Sequence, residues 1–148
     1  MPDSCQFQAD KLLVRLDVTI PADPSAISPV VDSVLGVASQ MGCAKGHEFE
    51  IETGIREALA NAIKHGCGGD TSKQVRCCVA CDESRGMLII VSDPGQGFDP
   101  ATVASPLAGQ QLYSEHGRGL YLINQLMDQV WFSESGTQIH MLKTSQRS

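Results

Sequence analysis

At 148 residues, 42% of them apolar, the chain is long enough for one domain with a real hydrophobic core and too short for two. A formal charge of -6 without clustered Lys or Arg excludes a phosphate-binding surface for nucleic acid and points to proteins or small ligands as partners. No apolar run is long enough to span a bilayer, and the opening Met-Pro-Asp-Ser-Cys-Gln lacks a basic stretch followed by an apolar one, so a single cytoplasmic domain over 1–148 is expected.

Residues 12–20 alternate, with Val14, Leu16, Val18 and Ile20 against Arg15, Asp17 and Thr19, the pattern of a strand buried on one face. Pro21 ends it. Asp23-Pro24 caps a helix whose apolar positions Ile27, Val30, Val31, Val34, Leu35, Ala38 and Met41 recur at helical spacing; Pro29 moves its regular start towards Ser28-Pro29, and Gly42 stops it. A second helix is predicted from about His47 to His65 with Gly66 as its cap, followed by the glycine-rich Cys67-Gly68-Gly69-Asp70. Strands over 74–81 and 87–93 read as a hairpin joined at 82–86. From Pro94 to Gly117 periodicity disappears in a stretch too long for an ordinary connector, which reads as a lid. A third helix over about 119–129 and strands over 130–133 and 137–143 complete the chain.

The six cysteines, without an export signal, read as reduced thiols packed as small hydrophobes. Cys78 and Cys81 have the two-residue gap of a zinc knuckle. They lie in the alternating run Val75, Cys77, Val79, Cys81, however, where positions three apart face opposite ways, and ordinary strand packing is preferred.

Three stretches carry polar groups suited to chemistry. On the second helix Glu57, Asn61 and His65 follow at intervals of four, a stripe beside the apolar Ile51, Ile55, Ala58, Leu59 and Ala62; alone, it is equally a solvated face. An apolar strand delivers Asp93 into a loop with Gly95 and Gly97, where a carboxylate can accept from an exocyclic amine and glycines let backbone approach a flat ligand. His116-Gly117-Arg118-Gly119-Leu120 reads as glycines opening a helix whose N–H groups and dipole suit a phosphate.

In this order the three become specific. Glu57-Ala58-Leu59-Ala60-Asn61-Ala62-Ile63-Lys64-His65-Gly66 resembles the N box of the GHKL superfamily, which includes gyrase, histidine kinases and mismatch-repair ATPases. Asp93-Pro94-Gly95-Gln96-Gly97 resembles its first glycine box, Gly117-Arg118-Gly119-Leu120 its second, and Gly136-Thr137 its later Gly-Thr element. Thr19-Ile20-Pro21-Ala22, Phe98-Asp99-Pro100 and Leu122–Asp128 are most similar to anti-sigma-factor serine kinases of the RsbW kind, and the likeness spans roughly Val14 to Lys143.

The resemblance implies an α+β fold, a two-layer sandwich with helices on one face of a mixed, mostly antiparallel sheet. It implies ATP and Mg²⁺ as cofactors. Asn61 would ligate the metal, Asp93 would bind the adenine amino group, Gly95 and Gly97 would shape its pocket, and Gly117, Arg118, Gly119 and Leu120 would close over the phosphates. Glu57 would orient or deprotonate the acceptor, Thr137 would support the adenine side, and His65 would lie beside the nucleotide. The implied partners are a sigma factor or equivalent client, a STAS-domain anti-anti-sigma protein whose serine is phosphorylated, and a second copy of the chain.

One departure is visible. Ser114-Glu115-His116 stand where some kinases of the family carry a basic residue, and no Lys or Arg lies between Phe98 and Glu115. Either Arg118 substitutes or transfer is slow or absent, which would leave an ATP-dependent partner-binding module without kinase activity. A detached histidine-kinase catalytic domain and a thiol or zinc module are the remaining readings.

Overall fold

The computed structural model describes residues 13–43, 46–82, 86–95 and 115–144, with the side chains of 13–15, 115–118 and 135 left aside. Among these residues five strands, β1 (Leu13–Pro21), β2 (Gln74–Asp82), β3 (Gly86–Ser92), β4 (Gln129–Ser133) and β5 (Gln138–Lys143), form one sheet in the order β1-β2-β3-β5-β4. Every pairing is antiparallel. β4 therefore runs in the direction of β3 two positions away, and β5 turns back to fill the gap between them. Three helices, α1 (Ile27–Met41), α2 (Glu48–Asn61) and α3 (Glu115–Leu126), complete the described elements, with α2 packed between the other two. None is long and apolar enough to cross a membrane.

Strand alternation explains why the helices lie on one side. Leu16, Val18 and Ile20 pair with Val79, Cys77 and Val75, and these continue through Ile89, Val91, Met141 and Ile139 into the cluster that receives the helices. Val31 and Val34 of α1, Ile51, Ile55 and Leu59 of α2, and Ile123 of α3 meet that face. The opposite positions Cys78, Ala80, Leu88 and Ile90 form a second apolar cluster with Trp131 and Leu142. Thus β2 and β3 are buried on both faces, as the continuous run Met87–Val91 suits. Cys78 and Cys81 do face opposite sides.

Several predicted ends shift for local reasons. Asp23 Oδ1 accepts from the Ser25 N–H at 2.9 Å, but the turn it caps, Pro24–Ala26, is a separate 3₁₀ turn, and α1 follows from Ile27. Pro29 sits in the first turn of α1, where its missing N–H costs nothing. Gly42, at φ 68°, ends α1 as expected. The predicted second helix is regular only to Asn61; Ala62–Gly66 form a π turn in which the Cys67 N–H donates to the Ala62 carbonyl at 2.9 Å. α3 extends from Glu115 rather than Gly119, so the Gly117-Gly119 pair lies inside the helix instead of ahead of it. It ends at Leu126, whose carbonyl accepts from the buried Lys143 ammonium at 2.8 Å, a cation placed where the helix dipole favours it. The expected lid lies outside the described residues except for its two ends.

The cysteines require a correction. Cys43 and Cys81 are disulfide-bonded, with Cα atoms 6.0 Å apart, and Cys78 is disulfide-bonded as well; only Cys67 and Cys77 are free thiols among the described residues. Pairing depends on which strand and which connection the fold brings together, and Cys43 and Cys81 are 38 residues apart in sequence.

On the outer face His140 lies in a row with Ile90 and Trp131, its ring stacked on the indole at 5.1 Å between centroids. The Ser133 hydroxyl donates to Gln138 Oε1 at 2.9 Å, so His140 Nε2, 2.8 Å from Ser133 Oγ, donates to that hydroxyl oxygen. Nδ1 then has no partner among the described residues, and protonating it would bury a charge there without an acceptor from them. Burial accordingly pushes the His140 pKa down to about 4. Because the folded value lies below the unfolded one, the stability this neutral ring contributes is complete above pH 6.5 and is lost as pH falls towards 4, by about 3 kcal/mol. Chemical denaturation of wild type and His140→Phe at pH 7 and pH 4.5 checks this; the variant is expected to lose less stability than wild type, and equal losses would refute it.

Candidate functional site

Asn61, His65 and Gly66 from the end of α2, Asp93 and Gly95 beyond β3, Thr137 at the start of β5 and Leu120 of α3 line one cavity of about 670 Å³. That size is in the range of small-molecule sites. The π turn makes one wall by widening the last turn of the helix, which turns Gly66 and Cys67 towards β3.

Asp93 is held from three directions. Its N–H donates to the Thr137 carbonyl at 3.0 Å, extending the β3–β5 ladder one residue past Ser92. Its Oδ1 accepts from the Gly95 N–H at 2.8 Å. Gly66 lies so close that a Cβ there would overlap the carboxylate, and a Cβ at Gly95 would overlap the Gly66 carbonyl. These two glycines are required by close approach. Burial raises the Asp93 pKa, opposed in part by the Gly95 hydrogen bond. The remaining oxygen is available to a donor in the cavity.

The second cluster lies where α3 crosses α2. An added Cβ at Gly119 would stand 3.0 Å from Asn61 Nδ2 and 3.1 Å from Glu57 Oε2, so the second glycine box rests directly on the carboxylate and amide of the first helix motif. Further along, Met127 Sδ would be 3.3 Å from a Cβ at Gly54, so glycine lets the two helices approach there too. Asn61 Nδ2 is buried and has no hydrogen-bond partner among the described residues. A buried amide of this kind is suited to a polar group that enters the site.

Of the residues singled out from the sequence, Asn61, His65, Asp93, Gly95, Leu120 and Thr137 line the cavity, while Glu57 and Gly119 meet at its edge. His65 is exposed at the rim. The Thr137 hydroxyl donates to the Glu134 carbonyl at 2.7 Å, which leaves its lone pairs towards the cavity as acceptors. Gly117 and Arg118 lie on α3; the Arg118 side chain and all of Gly97 fall outside what is described. Sequence reasoning missed Cys67, Lys73 and Phe132 as lining residues. Phe132 could have been found from the alternation of β4, but Lys73 sits in a turn with no motif. Gly66 was visible only as a helix cap, although it closes the motif run.

A sheet with helices on one face and a cavity between the end of the middle helix and the ends of β3 and β5 is the architecture of the GHKL class of ATP-binding sandwiches. The model of the family described as "Histidine kinase-like ATPase domain" matches residues 20–143, and the chain belongs to that family. It is similar to "Serine-protein kinase RsbW" of Bacillus velezensis, at 33% identity over 138 residues covering 86% of this chain and 84% of that protein. It is also similar to the proteins of that name in Bacillus subtilis, at 31% identity with the same coverage, and in Halalkalibacterium halodurans, at 33% identity covering 89% of this chain and 84% of that protein.

Proposed function

We propose that this chain is a single-domain cytoplasmic serine-protein kinase that uses ATP in a partner-switching system, holding a sigma factor or equivalent client and phosphorylating a serine of a STAS-type antagonist. The reading rests above all on one observation: the Asp93 carboxylate and the Asn61 amide line the same cavity, and Asn61 lies with Glu57 against Gly119 of α3. A carboxylate for a polar base and an amide for a phosphate-bound metal in one cavity are the groups a nucleotide requires.

In this reading Asp93 accepts a hydrogen bond from the exocyclic amine of adenine, with Gly66 and Gly95 giving the base room against the backbone. Thr137 supports the same edge. Gly117, Arg118, Gly119 and Leu120 on α3 face the phosphates, with Gly97 and His65 contributing at the loop and the rim. Glu57 orients the acceptor serine hydroxyl and takes its proton as the oxygen forms a bond to the terminal phosphorus and the bridging oxygen leaves with ADP.

Among the described residues no three His, Cys, Asp or Glu side chains are grouped closely enough to hold a metal ion. The donors that do meet, the Asn61 amide and a single carboxylate, suit Mg²⁺, which is usually held by one or two protein oxygens together with substrate phosphates and waters. When bound it would neutralise phosphate charge. Asn61 is its proposed ligand.

Calorimetry of ATP binding with and without Mg²⁺, followed by transfer of labelled phosphate to a purified STAS-domain partner, tests the proposal. Metal-dependent binding and label on serine are expected. Binding without transfer to the cognate partner would favour an ATP-dependent binding module instead, and no ATP binding would overturn both.

A further inference from the structure

Cys43 directly follows Gly42, the left-handed residue that ends α1, and opens the short connection to α2. Cys81 lies near the end of β2 on the face that receives the helices, opposite Leu13 of β1 and Met87 of β3. Their bond joins that connection to the end of the second strand of the sheet, and both residues are buried. The covalent ring it closes contains all of α2 and the π turn, and so Glu57, Asn61, His65 and Gly66. β3, α3 and β5, which carry or border the other described site residues, lie outside this ring.

The mechanical consequence follows from how α2 is held. Its far end is fixed by the contact of Gly66 with Asp93 and by the π-turn hydrogen bonds. Its near end hangs on a connection that holds Gly42 and Gly46 at φ 68° and 86°. Glycine loses the most conformational freedom on ordering, so Gly42 and Gly46 hold the start of the helix weakly through the backbone. The disulfide supplies a restraint at the sheet. Cys77, on the same face, is a free buried thiol, pushed up to about 12 by that burial.

We propose that Cys43 and Cys81 form a reversible oxidation site that controls nucleotide binding by tethering α2 to the sheet; its regulatory half rests on the nucleotide reading above. In the reduced chain the Cys43 thiolate attacks a small-molecule disulfide and releases one thiolate. The Cys81 thiolate then attacks the Cys43 sulfur of the mixed disulfide and releases the second, so two cysteine thiols are oxidised and one external disulfide is reduced. A dithiol reverses both steps. Because both sulfurs are buried, exchange requires the connection to open. A nucleotide that steadies α2 favours the bonded form over the reduced one, and by linkage the bond favours nucleotide binding by the same factor.

The test uses the full chain equilibrated with oxidised glutathione or with dithiothreitol, mapped by differential alkylation and peptide mass, then melted and titrated with Mg-ATP. Cys43 and Cys81 are expected to be protected from alkylation in the oxidised form and open in the reduced form. Reduction should lower Tm by roughly 10 °C and weaken ATP binding about fivefold or more. Cys43→Ser and Cys81→Ala should each bind ATP as the reduced chain does in either buffer, whereas Cys78→Ser should keep the redox response. Full alkylation of both thiols in the oxidised protein, or equal ATP affinity in the two states, would overturn the proposal. Absence of ATP binding in both states would remove the nucleotide reading and the regulatory role with it, while the alkylation map and Tm still decide whether the pair is an oxidation site.

Discussion

Asp93→Asn is expected to bind ATP about 100-fold more weakly than the wild-type chain and yet melt no lower without nucleotide. The two halves have different causes. The substitution keeps an oxygen for the Gly95 N–H and fits the space beside Gly66, so the apo structure loses nothing it depends on. What disappears is the charged acceptor facing the cavity, and an NH₂ group placed towards another NH₂ group repels where the carboxylate attracts; about 3 kcal/mol of binding follows from the lost charged hydrogen bond. Stability responds the other way. Burial raises the Asp93 pKa above 3.8, so the folded chain takes up a proton there more readily than the unfolded one. The ionised carboxylate is therefore a liability at neutral pH, relieved as pH falls through its raised titration range. Melting both proteins from pH 7 downwards should show the advantage of the variant shrinking on acidification. A variant that binds ATP within about threefold of wild type would remove Asp93 from the nucleotide site.

Glu57→Gln is expected to leave ATP binding within about threefold of wild type and to cut phosphate transfer by about 10²–10⁴, the usual contribution of a positioned base. Glu57 sits one helical turn before Asn61 and against Gly119, at the edge of the cavity and not among its lining residues, so binding does not depend on it strongly. A neutral amide cannot take the proton of the attacking hydroxyl. Single-turnover transfer to the STAS partner, with nucleotide binding measured on the same preparation, separates the two effects. Loss of binding in step with loss of transfer would reassign Glu57 to holding the nucleotide or its metal. A fall in transfer of less than about tenfold would leave Glu57 a positioning residue.

The motifs of the site were legible because each is local. Glu57, Asn61 and His65 fall on one stripe of a helix, and an apolar strand followed by Asp93 and two glycines announces a loop at a strand end. What no window of sequence contains is the distance between motifs. That Gly119 rests on Asn61 and Glu57, and that Gly66 sets the clearance at Asp93, depends on how α3 crosses α2 and how the π turn opens. Lys73 reaches the cavity from a turn that reads like any other.

By itself the sequence determined the number and kinds of elements, the face of each that is apolar and the identity of the polar groups at their ends, because 3.6-residue and two-residue periodicities are properties of neighbours along the chain. The tertiary structure alone decided that β5 lies between β3 and β4, that β2 and β3 are covered on both faces, and that Cys43 meets Cys81. These depend on contacts between residues far apart in sequence, where packing of whole surfaces selects one arrangement among many that the local pattern allows.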